Sequence, residues 1–275
     1  RTILGILCLA LVLSGIFSSS MRLEATETTL PKEGDILGTF DVGKNPVRVL
    51  FDGTHIWIAN ISSNTVTKLR ARDGATLGTF AVSSGPLDMA FDGTHIWITN
   101  SSGGKITKLR ASDGTILGTF DAGNFPFAIA FDGTDIWVTN QSGGVVMKFR
   151  TSDGTKLGTF DVGTSARDVI FDGKNIWVAN ASSNDVTKLR ASDGAALGIF
   201  RVDFGPRGIA FDGENIWTAN FNSANVTKLR ASDGTKLGTY PVGDNPRGII
   251  FDGKYIWVTN SGSNTVMKLS VSDGT

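Results

Sequence analysis

Three arginines, Arg167, Arg207 and Arg247, recur at a spacing of 40 residues, each four positions before a Phe-Asp-Gly tripeptide. A guanidinium is a planar fork of donors that grips carboxylates, sulfates and phosphates by paired hydrogen bonds. Earlier copies of the same slot hold Val47, Leu87 and Phe127, and the next position reads Arg48, Asp88, Ala128, Asp168, Gly208 and Gly248. If neighbouring copies lie side by side, the three arginines form a half-ring, with Arg48 beside it. Such a half-ring could hold a carboxylate, an acidic or sulfated glycan, or an acidic peptide. The same arginines could equally pair with Asp88, Asp168, Asp203 or Asp244 and close a channel; spacing leaves both readings open.

Aromatic residues point to the same region. Most of the seventeen Phe residues fill repeated slots, but Phe125, Phe127, Phe204 and Phe221 stand outside them. All four fall at or beside the loops opposite the Asp-Gly turns, where aromatics on a rigid scaffold would form a contact surface.

Residues for catalysis are scarce. His55 and His95 share a slot next to the Asp-Gly turn, away from the arginines, and no third metal ligand stands in register with them. No Ser-His-Asp set can be assembled, and the single cysteine, Cys8, lies in an apolar N-terminal run. The reading assigns no catalytic residue, no metal site and no cofactor.

The elements that position these residues follow from the period. Phe-Asp-Gly begins at 51, 91, 131, 171, 211 and 251, and all six tryptophans, Trp57 to Trp257, share one slot. Each unit reads as four short strands separated by turns: an apolar run into Asp-Gly, an Ile-Trp strand ending in Asn, a Val-x-Lys-Leu-Arg strand, and Leu-Gly-Thr-Phe. Asp-Gly between β-rich runs predicts a two-residue hairpin. Four antiparallel strands per 40 residues predict an all-β chain, a β-propeller of six blades. The first Leu-Gly-Thr-Phe precedes the first complete unit, so a strand over 36–42 is expected to complete the blade begun at about 246; a further repeat would make seven. The repeated Lys-Leu-Arg is read as a solvated strand face, and the Asn after each Trp as a cap on the following loop.

Residues 1–25 read separately from the propeller domain at 26–275. Arg1, the apolar run from Ile3 to Phe17 and Ser18-Ser19-Ser20 have the pattern of a secretory signal peptide. Export follows as an expectation: a secreted, periplasmic or cell-surface protein, touching a membrane only if that segment stays uncleaved. Twenty-six basic and 26 acidic residues balance without blocks of either sign, which argues against nucleic acid as a partner. A monomer is expected.

The stretch Pro206-Arg-Gly-Ile-Ala-Phe-Asp-Gly-x-Asn-Ile-Trp-x-x-Asn220 resembles the repeat of NHL- and YVTN-type propellers, and of the streptogramin (virginiamycin B) lyase-like propellers. The resemblance runs over residues 36–275. It implies a propeller serving as a protein- or ligand-binding module, a surface protein or an enzyme; the lyase likeness implies a catalytic His and a metal-linked acid on the channel face. From the residues themselves, the function expected is an exported binding module. Its partner would be a protein, an acidic glycan or a small anion, met by Arg48, Arg167, Arg207, Arg247, Phe125, Phe127, Phe204 and Phe221. A metal-dependent lyase or lactonase at the channel mouth and a structural envelope protein are the alternatives.

Overall fold

The computed structural model describes residues 36–272 and 274. The chain divides into two units, 1–39 and 40–275. The expected signal segment lies outside the described residues. In the first unit, 36–39 carry no regular structure and are exposed.

The second unit holds strands β1 to β23 and no helix among the described residues, so none there is long and apolar enough to cross a membrane. The first sheet is β1 (Pro46–Phe51), β2 (His55–Asn60), β3 (Thr65–Arg70) and β4 (Thr76–Ala81), paired in that order and antiparallel throughout. Four more sheets repeat it, opening with β5 (Pro86–Phe91), β9 (Pro126–Phe131), β13 (Ala166–Phe171) and β17 (Pro206–Phe211). The sixth has only three strands, β21 (Pro246–Phe251), β22 (Tyr255–Asn260) and β23 (Thr265–Ser270).

The expected strand over 36–42 does not form, and the last sheet keeps its three strands. Phe40 nevertheless sits on Gly74, as Phe80 of β4 sits on Gly114 of the next blade. A Cβ on Gly114 would lie 2.0 Å from the Phe80 ring, and its φ of +77° is one that glycine adopts freely. Phe40 thus takes the aromatic position of a fourth strand without the strand's ladder.

Consecutive sheets pack through five near-identical apolar cores. In the first, Trp57, Ala59 and Val66 of one blade meet Met89, Ile96, Ile98 and Leu109 of the next. Burial of such side chains stabilises by about 1.5–3 kcal/mol each, so these seams carry the fold. Among the described residues, the outermost faces of the first and sixth sheets have no such partner. Val266 is 60% exposed where its repeat equivalent Val226 is 0%, and Val49 is 63% exposed where Ile209 is 3%.

Two local expectations are corrected. The first hairpin closes with Asp52 N–H donating to the His55 carbonyl, so its central residues are Gly53 and Thr54, not Asp52 and Gly53. Asp52 turns inward instead, and its carboxylate accepts from Thr54 N, His55 N and Trp57 Nε1 at 2.9, 2.7 and 2.8 Å. The lysines of Lys-Leu-Arg are not solvated. Lys68 is buried over Trp57 and donates to the carbonyls of Ala111 and Ser112 in the next blade, at 2.7 and 2.9 Å. Only the arginine faces water, with Arg70 Nη1 2.9 Å from Asp73.

Candidate functional site

A cavity of about 320 Å3 lies where the first strands of all six sheets converge. Its polar lining is Arg48, Asp88, Arg167, Asp168, Arg207 and Arg247, and Val47, Leu87, Phe127 and Gly248 supply the rest. Each arginine stands in the opening residues of its strand because a first strand starts at a loop and ends at the Asp-Gly hairpin. The fixed 40-residue register then brings equivalent positions around one space.

Arg48 Nε is 2.6 Å from Asp88 Oδ1, which satisfies the pairing reading for that one arginine. The other three behave differently. Among the described residues Arg167, Arg207 and Arg247 have no carboxylate within ion-pair distance. Asp203 instead holds Lys236 at 2.9 Å and accepts from Asn225 at 2.7 Å.

Their partners are neutral. Arg247 Nε donates to Ser261 Oγ at 3.1 Å. Gln141, with its amide oxygen turned toward the guanidinium, accepts from Arg167 Nη2 and Nε at 2.9 and 3.2 Å. Arg207 lies on the Phe221 ring at 3.4 Å, Arg247 approaches the same ring at 5.3 Å, and Arg167 sits 4.9 Å from Phe127. Burial, then repulsion from Arg167 and Arg247, holds the Arg207 guanidinium below its ordinary pKa; Arg167 is lowered by burial and then by Arg247. The cavity therefore concentrates positive charge that the protein leaves unneutralised.

In the same lining, Asp168 accepts backbone N–H groups from Val169 and Ile209 at 2.9 and 3.0 Å. Desolvation, and after it the charge of Asp88, pushes its carboxyl up to about 7, against the pull of Arg48. Some of its surface still faces the cavity, so water there moderates the effect.

The structure gathers Arg48, Arg167, Arg207, Arg247 and Phe127 around one cavity. Phe221 lies under two of the arginines, and Phe125 stacks on Phe127 at 6.4 Å and 25°. Phe204 is exposed in its loop and outside the lining. The two histidines lie outside it too, each beside the Asp of its own hairpin: His55 Nδ1 is 3.2 Å from Asp52 and His95 Nδ1 is 3.0 Å from Asp92. Sequence reasoning treated Asp88 and Asp168 only as counter-ions and did not single out Gln141. The pairing of Gln141 with Arg167 crosses a loop, and no repeated slot signals it.

A larger cavity of about 580 Å3 lies on the hairpin side, between the fourth and fifth sheets, lined by Lys174, Glu214 and Arg230 among others. A smaller cleft recurs at the corresponding place between the third and fourth sheets, beside Lys148 and Ala191. It is a product of the repeat, whereas the central cavity is where the copies differ.

These strands, seams and central cavity define a β-propeller repeat protein. The chain matches the PQQ_2 family, described as outer membrane protein assembly factor BamB, over residues 52–275, and it belongs to that family. No curated protein matches it. Among solved structures it is similar to a catalytically inactive virginiamycin B lyase from Staphylococcus aureus bound to quinupristin. That likeness has a TM-score of 0.72 at 18% identity, covering 84% of this chain and 82% of that one. A protein of unknown function from Desulfotomaculum acetoxidans gives 0.72 at 14% identity, covering 84% of each. A putative 6-phosphogluconolactonase from Bacteroides uniformis gives 0.70 at 21%, covering 82% and 80%. At these identities the likeness is one of fold.

Proposed function

We propose that the protein is an exported propeller that binds an anionic group at the convergence of its first strands, as a ligand- or partner-binding module. One observation carries the reading: three guanidiniums line one cavity and no carboxylate among the described residues lies within ion-pair distance of them. Keeping like charges together in a partly desolvated space is unfavourable, and an anion entering between them relieves that repulsion.

Phe125 supports the same surface. It has a φ of 62°, in a slot that other copies fill with Asn45, Gly85, Ser165, Gly205 and Asn245. A bulky side chain there strains the backbone, and residues held against strain cluster at contact sites. Export rests on the N-terminal pattern and agrees with a family described by an outer-membrane assembly factor.

The test is thermal unfolding of the wild type and of an Arg167→Ala/Arg207→Ala/Arg247→Ala variant against carboxylates, acidic glycans and phosphates. A ligand that prefers the native state raises Tm. Stabilisation by at least one anion in the wild type, absent from the variant, is the expected result. Equal stabilisation of both proteins, or none of either, would sink the reading.

A further inference from the structure

Resting on that anion-binding reading, we infer that the group taken by the cavity is a phosphate monoester in its dianionic form.

The first argument is charge. Arg48, Arg167, Arg207 and Arg247 line one cavity together with Asp88 and Asp168. Once Asp168 is ionised, above about pH 7, four guanidiniums against two carboxylates leave two positive charges to be balanced. A carboxylate or a phosphodiester carries one negative charge and leaves the cavity cationic; a phosphate monoester carries two above its second pKa, near 6.

The second argument is the direction of the donors. All the N–H bonds of a guanidinium lie in its plane. The guanidinium carbon of Arg207 lies 3.4 Å from the centre of the Phe221 ring, and that of Arg167 4.9 Å from the centre of Phe127. A contact as close as that of Arg207 occupies a face of its guanidinium and leaves the N–H edges free. Only part of that capacity is used. Gln141 takes two donors of Arg167, Ser261 takes Arg247 Nε, and Arg207 has no hydrogen-bond partner among the described residues. Three forks offer more donors than the two oxygens of a carboxylate can accept. The three terminal oxygens of a phosphoryl group offer one edge to each fork.

The third argument is room. A cavity of about 320 Å3 lies at the small end of ordinary ligand pockets, which start near roughly 300 Å3. It has space for a phosphoryl group together with a ring-sized organic portion. Leu87 and Phe127 supply an apolar wall for that portion. The ester is thus favoured over the free ion.

Isothermal titration calorimetry at pH 8 and low salt separates the possibilities. The full chain is titrated with phenyl phosphate, inorganic phosphate, diphenyl phosphate and benzoate. Phenyl phosphate should bind at least about tenfold more tightly than benzoate or diphenyl phosphate, a gap of about 1.4 kcal/mol, and more tightly than inorganic phosphate. Arg207→Met keeps a side chain on Phe221 and removes the fork, so it should erase that preference while leaving Tm near wild type. Equal affinity for benzoate and phenyl phosphate would overturn the phosphate assignment and leave the anion site standing. Tightest binding by inorganic phosphate would overturn the ester. Binding of none of the four would overturn this inference, and persistence of the preference in a folded Arg207→Met would show that the ester binds elsewhere.

Discussion

Arg207 lies against Phe221 with its guanidinium carbon 3.4 Å from the ring centroid, and no carboxylate among the described residues shares that contact. Such a contact is worth about 0.5–2 kcal/mol, while repulsion from Arg167 and Arg247 works against it. These effects largely cancel, and Met retains packing on the ring. Arg207→Met should therefore unfold in denaturant within about 1 kcal/mol of wild type. A loss of several kcal/mol would make this arginine part of the scaffold.

Repeat equivalence predicts a stabilising change at Ala224. Its φ is 50°, and the same slot elsewhere holds Asn64, Gly104, Gly144, Asn184 and Asn264. Asn64 and Asn184 use the position to accept the backbone N–H of Gly85 and Gly205, at 2.9 and 2.8 Å. Asn tolerates left-handed backbone better than Ala does, and its amide oxygen would reach toward Asn245 N–H. Ala224→Asn should add about 1 kcal/mol, read as a higher denaturant midpoint at unchanged slope.

The Lys-Leu-Arg triplet separates two roles two residues apart. Lys108 is buried over Trp97 and donates to the Thr151 and Ser152 carbonyls, at 2.6 and 3.1 Å. Burial holds its ammonium pKa below the ordinary lysine value. Lys108→Met strands those carbonyls and should cost about 2–3 kcal/mol. Arg110 makes an exposed pair with Asp113, and Arg110→Ala should cost under about 1 kcal/mol. Comparable losses in chemical denaturation would contradict the burial contrast.

Asp168 gives stability a distinct pH dependence. Its folded carboxyl is raised from the model-peptide value of 3.8 to about 7, so the folded protein holds this proton more tightly than the unfolded chain does. The contribution is full below the unfolded value, falls as pH rises through about 7, and is flat above it. Wild-type Tm should carry a decline between about pH 4 and 7 that is missing from Asp168→Asn, whatever the offset between the two. Parallel pH curves would refute it.

The two open faces predict position-dependent tolerance. Val226→Asp places a charge in a closed seam and should unfold the protein or cost more than about 3 kcal/mol. Val266→Asp changes the same repeat slot on an exposed face and should cost under about 1 kcal/mol, with less binding of an apolar dye. Equal damage from both would mean that Val266 is covered in solution.

The architecture was legible because its signals are local and multiplied. Each Asp-Gly, each Trp and each Gly-Thr-Phe specifies one turn or one seam, and the copies reinforce one another. The failures have equally local causes. Lys68 reads as a surface residue by type, yet its carbonyl partners lie 43 and 44 residues away, in a seam that no single unit reveals. Residues 36–42 match a fourth strand in sequence, but only Phe40 takes up its place. At the cavity, spacing showed that Arg167, Arg207 and Arg247 would be equivalent. It could not say whether an acid would meet them, because that depends on side chains converging from six separate strands. Gln141 and the sharing of Phe221 by two arginines were invisible for the same reason.

Each sheet packs chiefly on the sheets before and after it, so stability is nearly a sum of neighbour terms, and the end sheets hold one seam where the inner four hold two. Loss of an end sheet breaks a single seam, whereas removing an inner one breaks two. Amide hydrogens in β1–β3 and β21–β23 should therefore exchange through small, frequent openings, and those around Trp137 and Trp177 only through near-global unfolding. Arg48 and Arg247 stand on the end sheets and Arg167 on an inner one. A ligand held across all three would slow exchange at both ends of the chain, far beyond the residues it touches.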